Sequence, residues 1–465
     1  MNKYGLVWDE EKNPEAIVNK CNKKLPYVKQ IKKYSSKKEG TSHALIEGDN
    51  YASLKIMQET HRNAIDIICI DPPYNTEKGE FIYNDKRVDD EDNYRHSKWL
   101  NFMDKRIRLA YNLLKEDGVL YMFIGKDELA NLTLLTDQIF GEKNRVTTIS
   151  RITKKTSARN TSFEDSCDYI LVYAKSLTKV DDNGGFGVEI EDTYREYSLV
   201  LSGISVARPN QRYWVECPDG EKICVVGEKY PSVGSDECVP SVKGDRLWYL
   251  SKEGYEREKA AGNLIFKKNT KKSSSLINDK GEGSLWRVSF KTQTRTSTRR
   301  IHNFITDNEF TNNKGTEEVK ELFGHKAFDY PKPTALIKYL IKITNKPKNI
   351  TVLDFFAGSG TTGHAVIDLN IEDNGTRNSI MCALNDFDDE VDICTDVTYK
   401  RLNLVVEKKR KEIEKKKGEQ ISITEFKRYD GFPPSLIYFR VMYAQNNDLS
   451  TKMLVDERNK ETLQW

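Results

Sequence analysis

Long apolar runs are absent from this 465-residue chain, and none approaches the roughly 20 residues needed to cross a bilayer. The N-terminal stretch MNKYGLVWDEEKNPEA has no apolar signal core, which argues against secretion and favours a cytoplasmic protein. The eight cysteines are scattered and form no CxxC pair, so they predict reduced thiols and not a disulfide framework or a zinc site. We therefore expect no membrane contact and no bound metal.

An excess of one charge is also missing, because 74 Lys and Arg nearly balance 71 Asp and Glu, for a net charge of +3. This balance does not by itself indicate a nucleic-acid partner, so the local distribution of charge must decide. Aromatic residues make up 10% of the chain, which supplies enough core material for a globular protein. At about 100–200 residues per domain, the length predicts two to four domains.

Short apolar runs alternate with segments of helical periodicity on either side of a central stretch of different character. This alternation predicts a Rossmann-like α/β fold whose mostly parallel strands are buried on both faces. The central stretch has short strands and frequent Gly, Pro, Ser and Asp, which predicts an inserted, β-containing domain. The expected boundaries are an N-terminal arm at 1–40, a first α/β half at 41–175, the insert at 176–321, a second α/β half at 322–417 and a C-terminal segment at 418–465.

The sequence LDFFAGSGTTG (353–363) follows a predicted strand and opens a predicted helix. Its glycines let the backbone approach a ligand, and the absence of Lys after Gly360 disfavours a phosphate-binding P-loop. Asp354 ends this strand, and Asp386 ends the next one, where an acid typically binds ribose hydroxyls. The pattern fits a nucleoside ligand without phosphates, although a glycine-rich turn of any Rossmann-like fold gives a similar sequence.

A second loop, DPPY (71–74), ends another predicted strand and carries a more specific signal. Its two prolines fix the backbone and remove N–H donors, which leaves the Pro72 carbonyl as a rigid acceptor. Asp71 adds a carboxylate acceptor, and Tyr74 adds an aromatic surface. Two acceptors and a ring can hold a flat heterocycle by its NH2 group and direct the nitrogen lone pair at a methyl donor. A purely structural Pro-Pro turn is the alternative.

Both loops lie at the predicted carboxyl ends of parallel strands, which is where open α/β sheets bind ligands. If the two strands are neighbours in the sheet, the loops face each other although they are far apart in sequence. A nucleoside cofactor and a base extruded from its helix would then meet between them.

IDPPYN (70–75) together with LDFFAGSGTTG resembles the DNA methyltransferases that methylate an amine with S-adenosylmethionine. The order of the blocks, with the catalytic loop first, is similar to that of the beta class. LIEGDN (45–50), CDYILVYAK (167–175) and FDYPKPTALI (328–337) match further, and the arrangement resembles the modification (Mod) subunits of type III restriction–modification systems. The resemblance implies an adenine-N6 DNA methyltransferase with a mostly parallel seven-stranded sheet and an inserted target-recognition domain.

The resemblance also assigns roles to individual residues. It implies that Asp71, Pro72, Pro73 and Tyr74 hold the target adenine and that the cofactor is S-adenosylmethionine. The residues implied for the cofactor site are Asp49, Asn50, Asp71, Lys332, Pro333, Asp354, Phe355, Gly358, Gly360 and Asp386. Asp386 stands where the family more often has Glu, and Mod subunits usually run longer than this chain.

The segment from Lys267 to Arg300 is the most basic of the chain, with ten Lys or Arg against two acids. A DNA methyltransferase must hold a polyanion while it extrudes a base, so we expect this segment and RITKKTSARN (151–160) to face DNA. The predicted DNA-binding residues are Lys154, Lys155, Arg287, Arg295, Arg299 and Arg300. A solvated loop is the alternative for the basic segment.

Several alternatives stay open. Cytosine-N4 methylation uses the same amine chemistry, and DPPY only favours adenine. Methylation of a protein or RNA amine is an alternative of a different class, whose enzymes usually carry Asn in place of Asp71 and lack a large insert. The resemblance further implies double-stranded DNA as a partner, a homodimer and, for type III relatives, a helicase–nuclease (Res) subunit, in a bacterial, phage or archaeal setting.

Overall fold

The structure, a computed structural model, describes residues 15–36, 38, 40–76, 82–83, 86–87, 94–154, 166–189, 195–201, 208–292, 298–299, 301–385, 392–418, 432–445, 455 and 459. The chain divides into two compact units. The larger unit comprises Met1–Val188 and Arg300–Trp465, and the smaller unit comprises Glu189–Arg299. The smaller unit is therefore inserted into the sequence of the larger one.

The helices are α1 (Ala16–Lys23), α2 (Asn50–Thr60), α3 (Arg95–Leu113), α4 (Lys126–Phe140), α5 (Leu177–Asp182), α6 (Lys252–Ala260), α7 (Asn312–Phe323), α8 (Thr334–Ile343), α9 (Thr361–Asp373) and α10 (Lys400–Gly418). Short 3-10 turns span Lys32–Tyr34, Glu142–Asn144 and Asn308–Phe310, and a π-helical stretch, Ile393–Tyr399, leads into α10.

The strands are β1 (Lys24–Gln30), β2 (Ser42–Glu47), β3 (Ile65–Ile70), β4 (Ile82–Tyr83), β5 (Lys86–Arg87), β6 (Leu114–Ile124), β7 (Arg145–Ile152), β8 (Cys167–Ala174), β9 (Val188–Glu189), β10 (Arg195–Ser198), β11 (Val200–Leu201), β12 (Val215–Glu216), β13 (Lys222–Val225), β14 (Leu247–Trp248), β15 (Leu264–Lys268), β16 (Leu276–Asn278), β17 (Trp286–Thr292), β18 (Thr298–Arg299), β19 (Phe304–Ile305), β20 (Thr351–Asp354), β21 (Asn378–Ala383) and β22 (Ser435–Gln445).

In the described part of the larger unit, one sheet contains ten strands in the order β1–β22–β2–β21–β20–β3–β6–β8–β7–β19. The central strands from β22 to β6 run parallel to one another. β1 and β8 pair with their neighbours in the antiparallel orientation. This large, mostly parallel sheet flanked by helices confirms the predicted fold class.

Alternate residues of β3 show how the sheet is buried on both faces. All six residues of β3 are buried. Ile68 lies in one hydrophobic cluster with Trp99 of α3, whereas Cys69 lies in another with Leu336 of α8. Successive side chains of a strand point to opposite faces, so a short, wholly apolar run produces a strand covered by helices on each side.

Some segments differ from the elements expected from the sequence. The expected N-terminal arm contains α1 and β1, and the expected C-terminal segment contains β22, so the sheet is wider than the seven strands implied by the resemblance. α3 ends at Leu113. Leu114 begins β6, where it is buried and pairs with Ile65 of β3.

The strands that precede the two predicted site loops are neighbours. β20 pairs with β3 in parallel, with Val352 opposite Ile67 and Leu353 opposite Ile68. The chain leaves both strands at their carboxyl ends, so the glycine-rich loop and the DPPY loop start side by side. The sequence left this adjacency open as a condition, and the structure meets that condition and so fixes where the candidate site lies.

The smaller unit contains the sheets β10–β17–β15, β12–β13–β16 and β11–β14, together with α6. Its core is rich in aromatic residues, including the buried Trp248 and Trp286. It spans fewer residues than the expected insert at 176–321, because Val180 and Phe310 pack in the core of the larger unit. A role in target recognition stays a prediction for this unit.

Among the helices that the structure describes, none is both long enough and apolar enough to cross a membrane. All eight cysteines are free thiols. Within the same described residues, no group of three or more His, Cys, Asp or Glu is placed to hold a metal ion.

Candidate active site

The glycine loop (residues 354–360) connects β20 to α9 in a shape that requires glycine. Gly358 and Gly360 have φ angles of 46° and 77°, in the left-handed region that side chains disfavour. A Cβ at Gly358 would lie 3.1 Å from the Phe328 ring, and a Cβ at Gly360 would lie 3.1 Å from Thr398 Cγ2. The Thr398 hydroxyl also donates to the Gly358 carbonyl at 2.6 Å. These contacts fix a backbone that a ligand can approach closely.

Asp354 is buried at the base of the glycine loop, where the loop itself uses its side chain. Oδ1 accepts a hydrogen bond from the Phe356 N–H at 3.0 Å, and Oδ2 accepts one from the Thr362 hydroxyl at 2.6 Å. Burial raises the pKa of Asp354 to about 7, and the two donors offset this effect only in part. The carboxyl group thus holds the loop and changes charge near neutral pH.

Asp49 and Asn50 connect the end of β2 to the glycine loop. Asp49 caps α2, because its Oδ1 accepts from the Tyr51 N–H at 2.7 Å. The Asn50 amide donates to the Phe355 carbonyl at 3.0 Å, and its oxygen accepts from Nε of the buried Arg106 at 2.5 Å. The structure therefore brings these predicted cofactor-site residues together from two strand ends.

The DPPY loop (residues 71–74) is held by contacts with neighbouring helices as well as by its prolines. Trp99 Nε1 donates to the Pro73 carbonyl at 2.8 Å. Asn75 follows the loop with a φ of 54° and donates to the buried Glu128 carboxylate at 2.5 Å. The backbone acceptors of the loop are thus fixed before any ligand arrives.

Asp71 and Lys332 form an ion pair at the centre of the site. Lys332 Nζ lies 2.5 Å from Asp71 Oδ2, although the residues are 261 positions apart in sequence. The lysine is buried, and its ammonium group lies 5.2 Å from the centroid of the Tyr74 ring. Asp71 Oδ1 is also buried, and no group in the described part of the chain donates to it. One carboxylate oxygen is therefore held by a cation, and the other can accept from a bound group.

Tyr74 is fixed by a buried acid–base pair that sequence reasoning missed. Its hydroxyl donates to Asp168 Oδ2 at 3.2 Å, and Arg151 holds both Asp168 oxygens at 2.7 and 2.5 Å. Burial, together with the charges of Asp71 and Asp168, raises the pKa of Tyr74 well above its usual value, so the hydroxyl stays a neutral donor. A Cβ at Gly125 would lie 3.0 Å from the ring. The motif CDYILVYAK contains Asp168, but nothing in it indicated the partner.

Sequence reasoning also missed a buried arginine that connects Lys332 to the glycine loop. Arg401 is fully buried and donates to Ser359 Oγ at 2.9 Å and to Thr361 Oγ1 at 2.8 Å. The Thr361 hydroxyl in turn donates to the Lys332 carbonyl at 3.2 Å. Burial lowers the pKa of Arg401 to about 10. Arg401 was hidden among the many charged residues of α10.

The other predicted residues are Pro333, Asp386 and the predicted DNA-binding residues, and the structure describes only some of them. Pro333 is the N-cap residue of α8, next to Lys332. Lys154 is an exposed residue of the larger unit, and Arg287 is exposed on β17 of the smaller unit. Those outside the described residues are Asp386, Lys155, Arg295 and Arg300, and of Arg299 only the backbone is described, in β18. The roles of all these residues stay predictions.

Comparison with known proteins gives a consistent set of relatives. Residues 65–387 match the profile of the N6/N4 methyltransferase family, described as DNA methylase. The chain is 33% identical to the StyLTI Mod subunit of a type III restriction–modification enzyme from Salmonella typhimurium, over 74% of this chain and 53% of that protein. The chain is 29% identical to the EcoPI Mod subunit of Escherichia phage P1, over 89% of this chain and 68% of that protein. It is 30% identical to the type II methyltransferase M.KpnI of Klebsiella pneumoniae, over 79% of this chain and 88% of that protein. The chain thus spans about half the length of the StyLTI subunit and most of the length of M.KpnI.

Proposed function

The chain belongs to the N6/N4 family of DNA methylases, and we propose that it methylates the N6 amine of an adenine extruded from duplex DNA, with S-adenosylmethionine as the methyl donor. It would serve as the modification methyltransferase of a restriction–modification system. One observation carries the proposal. Where β3 ends beside β20, Asp71 has one oxygen fixed by Lys332 and a second, buried oxygen that receives no hydrogen bond from the described residues.

The proposed chemistry must make the adenine amine a better nucleophile. Its nitrogen is a weak nucleophile, because the lone pair is delocalised into the ring. Asp71 Oδ1 and the Pro72 carbonyl can each accept one N6 hydrogen, which favours a pyramidal nitrogen whose lone pair points at the methyl group. S-adenosylmethionine supplies that methyl group as an electrophile on sulfur. The N–C bond forms as the C–S bond breaks, and the cationic amine then loses a proton to Asp71 or to solvent.

The residues around the glycine loop fit this cofactor. Gly358 and Gly360 give a backbone surface with positive φ angles, on which a Cβ would be in tight contact with Phe328 or Thr398. Asp49 caps α2 beside the loop and keeps 22% of its side-chain surface exposed. Asp354 lies at the base of the loop, where its ionised form would attract the positive charge of the cofactor. These residues would hold the cofactor beside the DPPY loop.

A product analysis tests the proposed reaction. The chain is incubated with duplex DNA and S-adenosylmethionine carrying a labelled methyl group, and the DNA is digested to nucleosides for mass spectrometry. We expect labelled N6-methyl-deoxyadenosine from the wild type and none from the Asp71→Ala variant. Labelled N4-methyl-deoxycytidine would show that cytosine is the target base and not adenine, and the absence of any labelled nucleoside would contradict the proposal.

Tyr74 is expected to act through its ring and not through its hydroxyl. Tyr74→Ala removes a surface for base stacking that is worth about 1–3 kcal/mol, so capture of the extruded base should weaken by about tenfold or more. Tyr74→Phe keeps the ring and loses only the hydrogen bond to Asp168, so it should retain activity within about tenfold. A 2-aminopurine placed at the target position reports extrusion, and single-turnover rates report transfer. Equal losses in the two variants would contradict a stacking role.

Lys332 is expected to position Asp71. Lys332→Met should lower the single-turnover rate by about tenfold, because the carboxylate loses the cation that holds Oδ2. Lys332→Arg keeps the charge and should keep most of the rate at neutral pH. A variant that loses cofactor affinity but shows a wild-type rate at saturating cofactor would instead place Lys332 in the cofactor site.

The assembly around the chain follows from its relatives and is part of the proposal. We propose double-stranded DNA as the substrate partner, a homodimer as the working form, and a cytoplasmic location, where the DNA of a bacterial, phage or archaeal cell lies. The names of the StyLTI and EcoPI relatives, which are Mod subunits of type III enzymes, support a helicase–nuclease (Res) partner.

A further inference from the structure

The basic segment of the smaller unit is partly neutralised by its own neighbours. The three lysines in question each form an ion pair with a carboxylate at 2.8 Å: Lys267 with Glu196, Lys268 with Asp219, and Lys272 with Glu282. The carboxylate beside each lysine offsets its positive charge, so a paired lysine attracts a phosphate less strongly than an isolated lysine would. The count of basic residues between 267 and 300 therefore overstates the positive surface of this unit.

Arg246 and Arg287 differ from these lysines. Neither makes an ion pair with any residue that the structure describes, and both line one groove of about 300 Å³ within the smaller unit. The other polar lining residues are Ser198, Asn269, Ser273 and Ser275, the floor is apolar, and the lining contains no carboxylate. The nearby Glu196 is occupied, because it accepts from the Lys267 ammonium and, at 2.5 Å, from the Ser289 hydroxyl.

This set of side chains matches a phosphodiester. Guanidinium groups bind phosphate oxygens through two parallel hydrogen bonds, and Ser and Asn side chains are common additional donors to the DNA backbone. The volume accommodates a phosphate group and its sugar but not a stacked duplex. Arg246 lies outside the segment that the sequence pattern singled out, and only the groove connects it with Arg287.

We propose that the groove lined by Arg246 and Arg287 binds a backbone phosphate of duplex DNA and is a main electrostatic contact of the smaller unit. The inference rests on the proposed function, because it takes duplex DNA as the substrate. It differs from the sequence-based expectation, in which the basic stretch as a whole faces DNA. In the groove, two guanidiniums that form no ion pair with the described residues provide the charge, whereas the paired lysines contribute little.

The test compares two double variants of the full chain that lose the same two charges. Arg246→Gln/Arg287→Gln removes the unpaired guanidiniums, and Lys268→Gln/Lys272→Gln removes two carboxylate-paired lysines. Duplex binding is followed by fluorescence anisotropy at several salt concentrations. Each lost phosphate contact should flatten the slope of log K against log salt by about 0.9 and weaken binding about eightfold at 0.1 M salt. The two arginines share one phosphate, so we expect about eightfold weaker binding for the arginine variant and less than about threefold for the lysine variant.

The outcomes separate this inference from the proposed function. Equal losses in the two double variants, or an unchanged slope in the arginine variant, would overturn the groove as a phosphate site. Failure of the wild type to bind duplex DNA at any salt concentration would instead contradict the proposed function. Unchanged thermal unfolding and S-adenosylmethionine affinity show that each variant is folded, and Arg287→Glu alone should weaken binding further than Arg287→Gln.

Discussion

Replacing Asp71 with Ala should lower the single-turnover rate of DNA methylation by about a hundredfold to a thousandfold, while binding of S-adenosylmethionine stays nearly unchanged. Asp71 Oδ1 is a buried acceptor held in place by the Lys332 ion pair, next to a loop whose backbone is fixed by Trp99 and Asn75. Preorganised groups of this kind act on charge that develops in the transition state, where one is worth about 3–4 kcal/mol. Single turnover at saturating cofactor isolates that step from product release.

The matched control for Asp71 lies on the same strand. Asp66 is buried and, like Asp71, is paired with a lysine, Lys115, at 2.8 Å, but it lies at the opposite end of β3. Asp66→Asn should therefore keep the methylation rate, and calorimetry with the cofactor should show that both variants are folded. If Asp71→Ala retained more than about a tenth of the wild-type rate, the proposed role of its carboxylate would be wrong.

The position of the candidate site could be predicted from sequence because its signals are local. A short apolar run followed by DPPY, and another followed by a glycine-rich loop, each specify a buried strand with a loop at its carboxyl end. In a parallel sheet, carboxyl ends lie on one edge, so only the adjacency of β3 and β20 had to be supplied by the structure. The positive φ angles of Gly358 and Gly360 likewise follow from residue type.

The groups that hold the site could not be predicted, because they come from distant parts of the chain and have no local signature. Lys332 stood in a recognised motif, yet its contact with Asp71 joins positions 261 residues apart. Asp168 and Arg401 are charged residues in an ordinary strand and a charge-rich helix, and only their burial reveals that they have partners. A buried ion needs satisfied hydrogen bonds, so such residues become recognisable once the tertiary structure is known.

Charge in the smaller unit shows the same limit of sequence reasoning. The excess of Lys and Arg after residue 266 is a correct count, but Glu196 and Asp219 come from earlier strands or turns and neutralise part of it. Conversely, Arg246 was not singled out because its surroundings in sequence are mixed in charge. Local composition predicts the presence of basic residues, whereas the fold decides which of them are unpaired.

Replacing Asp354 with Ala should weaken S-adenosylmethionine binding by about a hundredfold or more. The substitution leaves the Phe356 N–H and the Thr362 hydroxyl without the acceptor that they contact at 3.0 and 2.6 Å. Each buried group left unsatisfied costs about 1–3 kcal/mol, so the loop should lose the shape that brings Gly358 and Gly360 toward the ligand. Isothermal titration calorimetry measures the loss, and affinity like that of the wild type would show that this loop does not form the cofactor site.

The Asp354→Asn variant separates the shape of the loop from its charge. An amide can still accept from Phe356 and donate to the Thr362 oxygen, so the loop should persist without the negative charge. Because burial raises the pKa of Asp354 to about 7, the wild-type carboxyl group is partly protonated at neutral pH. A cationic cofactor favours the ionised form of Asp354, so binding to the wild type below this pKa should release a proton. The affinity of the wild type should therefore rise from about pH 6 to about pH 8, by no more than about tenfold per pH unit. Titration of the cofactor itself affects both proteins equally, so it cancels when the affinity of the wild type is compared with that of Asp354→Asn at each pH. An equal pH dependence of affinity in both proteins would show that the Asp354 charge does not contribute to binding.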